Sequence, residues 1–171
     1  MEPDKLYFIT ATILEWKYLL TNDSYKEILI NEWRHRIKLN HLKVYGFVIM
    51  PNHYHAIINT PSPCIPSDIQ RDIHKWVSKQ IITNLKACNE QLLNSFAVEA
   101  PDRKYQIWER NSLPIYLYSR DVIEQKLKYI HENPLHEHWQ LAEIPENYHY
   151  SSAKFYLEND TNWDFLSSIY D

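Results

Sequence analysis

Gly46 is the only glycine in the 171 residues. Loops that cradle phosphate through bare backbone, of the P-loop or dinucleotide-binding type, need several glycines in a fixed pattern and are excluded outright. Chain reversals must then come from Pro, Asn, Asp and Ser, which fix φ or cap their own backbone. The stretch Met50-Pro51-Asn52 meets that requirement between two apolar runs, 42–50 and 53–60, which read as the strands of a hairpin.

The remaining pattern alternates strands and helices without βαβ regularity. Residues 6–16 read as a first strand and 23–39 as a helix with Tyr25, Ile28, Leu29 and Trp33 on one face. Residues 67–87 form a second helix, N-capped by Ser67, with Ile69, Ile73, Trp76, Ile81 and Leu85 inward. Short strands are expected within 105–110 and 113–118, and a last helix over 119–133, capped by Ser119 and stopped by Pro134. One α+β domain follows: an antiparallel sheet with helices packed on it.

Charge is unevenly distributed. The net −4 hides eight acids against the single base Lys154 after residue 131, a tail expected to be solvated, behind a mildly basic body. Cys64 and Cys88 have no metal-binding or disulfide-framework spacing, and no stretch is long and apolar enough for a bilayer. We therefore expect free thiols, no membrane partner and a cytoplasmic location.

The chemistry concentrates in two places. His53 and His55 are two apart on a predicted strand, so both imidazoles project from one face and can converge on an ion, although two histidines fall short of a complete site. On the last helix, Ile123, Leu127 and Ile130 form the apolar stripe, and Val122, Lys126, Tyr129 and Asn133 lie along one border. If that border faces the histidines, an amide oxygen and a phenol arrive beside them. Otherwise Tyr129 caps the core and Asn133 merely ends the helix. His131 falls on the opposite border, and His35, His41, His74, His136, His138 and His149 read as satisfied or solvated. Arg71, Lys75 and Lys79 recur every four residues as a stripe suited to a phosphate backbone or, with Asp68 and Asp72 as partners, to solvent. Trp33 and Trp76 read as core. Tyr105, Trp108, Tyr116 and Tyr118 lie near turns, where they suit the core or base stacking.

The order "MPNHYHAII", then "KLKYIHENP" some seventy residues later, resembles the single-tyrosine HUH transposases, in particular the REP-associated tyrosine transposases. Weaker likeness in "KWVSKQI", "IWER" and "ENYHYSSAKFY" extends it over most of the chain. The resemblance implies a ferredoxin-like or RRM-like catalytic domain over residues 1–134 and an acidic extension over 135–171. It implies Mg²⁺ or Mn²⁺ held by His53, His55 and Asn133, and Tyr129 as the nucleophile that cuts single-stranded DNA near a hairpin through a 5′-phosphotyrosine. Arg71, Lys75, Lys79 and Lys126 would meet DNA, and the chain would act as a monomer or homodimer. A phenol ordinarily ionises near pH 10, so the cation and Lys126 would have to favour phenolate. Two departures stand out: the chain is net acidic, and "WERNSLPIY" lacks the histidine common there in relatives. The competing readings are a domesticated protein that binds DNA or RNA hairpins without cutting, and a hydrolase with a His-x-His metal site, which would want an acidic or thiol third ligand in an enclosed pocket.

Overall fold

A computed structural model describes residues 1–110 and 113–171. Strands β1 (Tyr7–Thr12), β2 (Lys43–Ile49) and β3 (His53–Asn59) are joined to a short edge strand, numbered β6 (Ile115–Tyr116), in the order β2-β3-β1-β6. Every neighbouring pair is antiparallel. Helix α1 (Asp23–Lys38) carries the chain from β1 to β2, and α2 (Pro66–Cys88) leaves β3. A small insertion of α3 (Glu90–Asn94), β4 (Ala97–Ala100) and β5 (Arg103–Tyr105) precedes β6. This is the expected α+β fold, in the βαββαβ strand order of ferredoxin-like and RRM-like sheets.

The alternation of β3 divides the interior. Tyr54, Ala56 and Ile58 point into a core with Leu29 and Trp33 of α1 and Ile73, Val77 and Ile81 of α2. Ile57 points the other way, with Phe8 and Val48, against Leu127 and Ile130 of α4 (Arg120–Glu132). A helix on the second face buries the strand on both sides, which is why 53–58 read as an ordinary core strand despite its histidines.

Details of α2 differ from expectation. It begins at Pro66, with Ile65 rather than Ser67 at the cap, because proline suits the first helical turn. Its buried stripe advances in steps of four through Ile69, Ile73, Val77, Ile81 and Leu85, which turns Trp76 outward to 39% exposure. In α4 the Ser119 hydroxyl accepts from the Val122 N–H as expected, and the chain continues as a 3₁₀ turn over Asn133–Leu135.

The acidic tail is not a solvated terminus. Tyr150 O accepts from Ile49 N, and Ser152 N and Ser167 N donate to Phe47 O and Val44 O, so the tail pairs along the outer edge of β2. Trp163 and Phe165 enter the core beside Phe47, and the Tyr156 hydroxyl in α5 (Ala153–Glu158) donates to Tyr45 O at 2.5 Å. Unpaired strand edges invite pairing with other chains, and here the tail occupies that edge. Most tail carboxylates still face outward; charge distribution alone did not reveal the aromatic anchors between them.

Gly46 sits where α4 crosses β2. A bulge between Val44 and Gly46 turns this residue toward α4, where an added Cβ would lie 2.6 Å from Leu127 Cδ1 and 3.5 Å from Ser152 Oγ. We expect Gly46→Ala to destabilise the protein by about 1–3 kcal/mol through overpacking. The cost should shrink in Gly46→Ala/Leu127→Val, which removes the crowding methyl; urea unfolding of the single and double variants measures that non-additivity.

Candidate functional site

The face of the sheet not covered by α1 and α2 carries the site. Register sets Thr10 opposite His55 and Thr12 opposite His53, with Val48 on the other side of His55. The two imidazoles lie side by side, centroids 4.8 Å apart, each only 6% exposed. Thr10 Oγ1 is 2.8 Å from His55 Nδ1, and Asn52 Oδ1 is 2.7 Å from His53 Nδ1.

The Asn52 contacts fix a tautomer. Its Nδ2 donates to Trp16 O at 3.1 Å, and a carbonyl can only accept, so Oδ1 must face His53. His53 Nδ1 then carries the proton and Nε2 keeps its lone pair. Asn52 is 4% exposed and does two jobs: it locks one ring and ties the β2–β3 turn to the segment after β1. The Met-Pro-Asn turn was legible in the sequence; this second function of its asparagine was not.

Helix α4 supplies the rest, with the border expected from its periodicity facing the histidines. Tyr129 stands edge-on to His55 at 5.2 Å between centroids and to Phe8 at 6.0 Å, and is 41% exposed. The Lys126 ammonium lies 4.9 Å from the Phe8 ring centroid and 5.7 Å from that of Tyr129. Asn133 is 3% exposed beside His53, where its amide opposes the effect of burial on that imidazole, and its Oδ1 has no partner of good hydrogen-bond geometry among the described residues. A buried amide oxygen left unsatisfied costs about 1–3 kcal/mol, and this one sits next to two imidazoles, where a water or a cation would satisfy it.

The residues present fit a divalent ion. Two imidazole nitrogens and one amide oxygen suit a first-row transition ion such as Mn²⁺ better than Mg²⁺, which prefers oxygen donors, and leave open positions for water or substrate oxygen. Among the described residues no three His, Cys, Asp or Glu side chains gather into a site, and the buried polar side chain beside the histidine pair on α4's continuation is the Asn133 amide. All three donors are neutral, and among the described residues no carboxylate lines the surrounding cleft of ≈ 480 Å³. A cation held there would keep its full charge toward an incoming anion.

Burial pushes His53 down to about 4 and, with the charges of His53 and Lys126 adding to burial, His55 down to about 3. Both are therefore neutral at pH 7, the form that ligates metal. His131 does not join them: it lies on the far side of α4, where its Nε2 is 2.9 Å from Ser152 Oγ, and burial lowers it to about 4.

Several tail and loop residues that sequence reasoning left out also line the cleft. His136 and His138 are exposed, in keeping with the satisfied-or-solvated reading, and also border it, with the His136 ring 6.3 Å from that of Tyr129. Trp16, Tyr18 and Trp139 form its other wall. Glu15 and Trp16 have φ of 55° and 57°, left-handed values that cost L-residues roughly 1–2 kcal/mol each. No local pattern announces such a turn.

The stripe Arg71, Lys75 and Lys79 lies elsewhere. It lines a hollow of ≈ 1220 Å³ between α2 and residues 102–110, on the sheet face opposite the histidines, with Arg36, Lys86, Arg103 and Arg110. Arg71 is engaged by Asp68 and Asp72, whereas Lys75 and Lys79 form no ion pair among the described residues. Trp108 is buried there against His74, rings stacked at 4.7 Å, and His74 Nε2 meets the Tyr54 hydroxyl at 2.7 Å. His74 is thus an inward-facing histidine rather than an isolated surface one, and burial holds it near 4. Tyr116 and Tyr118 remain exposed at the β6 edge.

No protein-family model matches the sequence, and no curated protein matches it. Among solved structures, a REP-associated tyrosine transposase bound to a REP hairpin superposes with a TM-score of 0.63 at 16% identity, covering 97% of this chain and 84% of that one. A candidate transposase from Deinococcus radiodurans gives a TM-score of 0.46 at 17% identity, covering 78% of this chain and 92% of its own, too loose a match to argue from. The first comparison shows that this chain has the fold of a REP-associated tyrosine transposase.

Four histidines, at 53, 55, 74 and 131, are held below their unfolded value of about 6.5. Below that pH the unfolded chain takes up protons that the folded one refuses, so their contribution to stability is complete above about 6.5 and is lost as pH falls toward 4. Urea unfolding in EDTA should show stability declining across that window. His74→Gln should flatten it.

Proposed function

We propose that this protein is a metal-dependent transposase or endonuclease that cleaves single-stranded DNA near hairpins through a covalent bond to Tyr129. The observation that carries the reading is the unsatisfied Asn133 Oδ1, buried beside two imidazoles whose Nδ1 atoms are already engaged, with a half-exposed phenol above them. The fold, shared with a transposase solved in complex with a REP hairpin, supports it. The open, carboxylate-free cleft suits a phosphodiester better than the enclosed small-molecule site expected of an unrelated hydrolase.

His53 Nε2, His55 Nε2 and Asn133 Oδ1 would hold Mg²⁺ or Mn²⁺, which when bound supplies Lewis acidity to a non-bridging phosphate oxygen. Asn52 and Thr10 keep the two imidazoles in place by their Nδ1 contacts. Tyr129 attacks phosphorus in line through its phenol oxygen, forming the Tyr–O–P bond as the P–O3′ bond breaks. The phenol gives up its proton and the departing 3′ oxygen gains one. Lys126, whose ammonium lies 5.7 Å from the ring centroid, would meet the charge of the incoming phosphate. The phosphodiester energy is kept in the phosphotyrosine, so a 3′-hydroxyl of a second end can reverse the step and join strands. The basic hollow on the opposite face would take the hairpin backbone, with Lys75, Lys79 and Lys86 as cations that form no ion pair among the described residues.

On a denaturing gel, labelled hairpin-flanked single strands should give a covalent protein–DNA band with Mn²⁺, none in EDTA and none for Tyr129→Phe. In parallel, Mn²⁺ should raise the melting temperature of wild type, but not of His55→Ala or Asn133→Ala. Hairpin binding without any adduct would instead favour a non-cutting binding protein. For the basic hollow, Lys75→Ala/Lys79→Ala should weaken hairpin binding about tenfold or more. It should also reduce the slope of log K against log salt by about 1.8, as expected for two lost phosphate contacts on a duplex.

A further inference from the structure

We propose that Trp16, Tyr18 and Trp139 form a stacking wall that holds an unpaired base beside the phosphate to be attacked, so that the cleft selects single-stranded nucleic acid and sets its register. The inference rests on the nucleic-acid reading above and adds the residues that would position the strand.

Trp16 and Tyr18 are 60% and 57% exposed, although both belong to a chain with ample core to receive them. They are held out by construction. Glu15 and Trp16 occupy consecutive left-handed positions, and the turn is pinned by bonds from Trp16 N to Ile13 O, Asn52 Nδ2 to Trp16 O, and Leu20 N to Pro51 O. A bulky aromatic in that conformation is an outlier that surrounding bonds must enforce, and such outliers gather at functional sites. What the strain achieves here is placement: the Trp16 ring centroid lies 6.1 Å from that of His53, and Asn52 binds both residues.

The other rings converge on the same point. Trp139 approaches His53 at 5.8 Å and Tyr18 at 5.8 Å, so an aromatic surface borders one side of the imidazole pair while Tyr129 stands at the other. Every nucleobase has a π-face, and aromatic stacking is how proteins hold single strands without reading a duplex. A paired base cannot present that face. With no carboxylate lining the cleft, the phosphate of the same nucleotide meets no repulsion there.

The test uses full-length Tyr129→Phe protein, so that bound DNA stays intact, and hairpin-flanked strands carrying 2-aminopurine at successive flank positions. One position should lose most of its fluorescence on binding. Trp16→Ala should restore that signal and weaken binding of the single-stranded flank about tenfold, Trp16→Phe should largely retain both, and the isolated hairpin should bind all three alike. Bound strands with no quenched position, or quenching that survives in Trp16→Ala/Tyr18→Ala, would overturn the proposal. Quenching together with no adduct by wild type would keep the stacking wall and reject the cleavage reading. An adduct without quenching would do the reverse, and absence of both would reject the two together.

Discussion

The close approach of α4 to the sheet at Gly46 is the constraint from which the site's geometry follows. A side chain at that position would meet the Leu127 Cδ1 methyl at 2.6 Å, which would have to move aside. Tyr129, Lys126 and Asn133 are all carried by that helix or its immediate continuation, whereas the two histidines belong to β3. The distance between phenol and imidazole is therefore set largely by how near the helix can sit. In a chain whose turns are otherwise made without glycine, its one glycine is spent on a helix–strand contact, not on a loop.

The histidine pair depends on a second layer of fixed contacts. Antiparallel register supplies Thr10, and the hairpin turn supplies Asn52. Burial keeps both rings neutral, so the site is ready to ligate without first losing protons. The Asn133 amide is buried beside them, its Oδ1 without a hydrogen bond of good geometry among the described residues.

The tail changes how the molecule should be understood. It was expected to be an acidic, solvated terminus, yet it covers the edge of β2, inserts Trp163 and Phe165 into the main core, and brings His136, His138 and Trp139 to the cleft. Conversely, the lysine and arginine stripe of α2 lies on the far side of the sheet from the chemistry. The proposed backbone binding and the proposed cleavage thus fall on opposite faces, with Tyr54 touching His74 in one direction and sitting between His53 and His55 in the strand.

Periodicity of two in 53–59 and of 3.6 in 119–133, with Ser119 and Pro134 as stops, determined from sequence alone that His53 and His55 share a face and that Tyr129 and Asn133 share a helix border. These are local properties, encoded by residues a few positions apart. Only the tertiary structure decided that the two faces meet, that Trp76 turns out while Val77 turns in, and that Thr10, Trp16 and Trp139 complete the cleft. Those outcomes depend on strand register, on a strained turn and on long-range packing, where the partners are separated by tens of residues and no local pattern specifies which surfaces will be buried together.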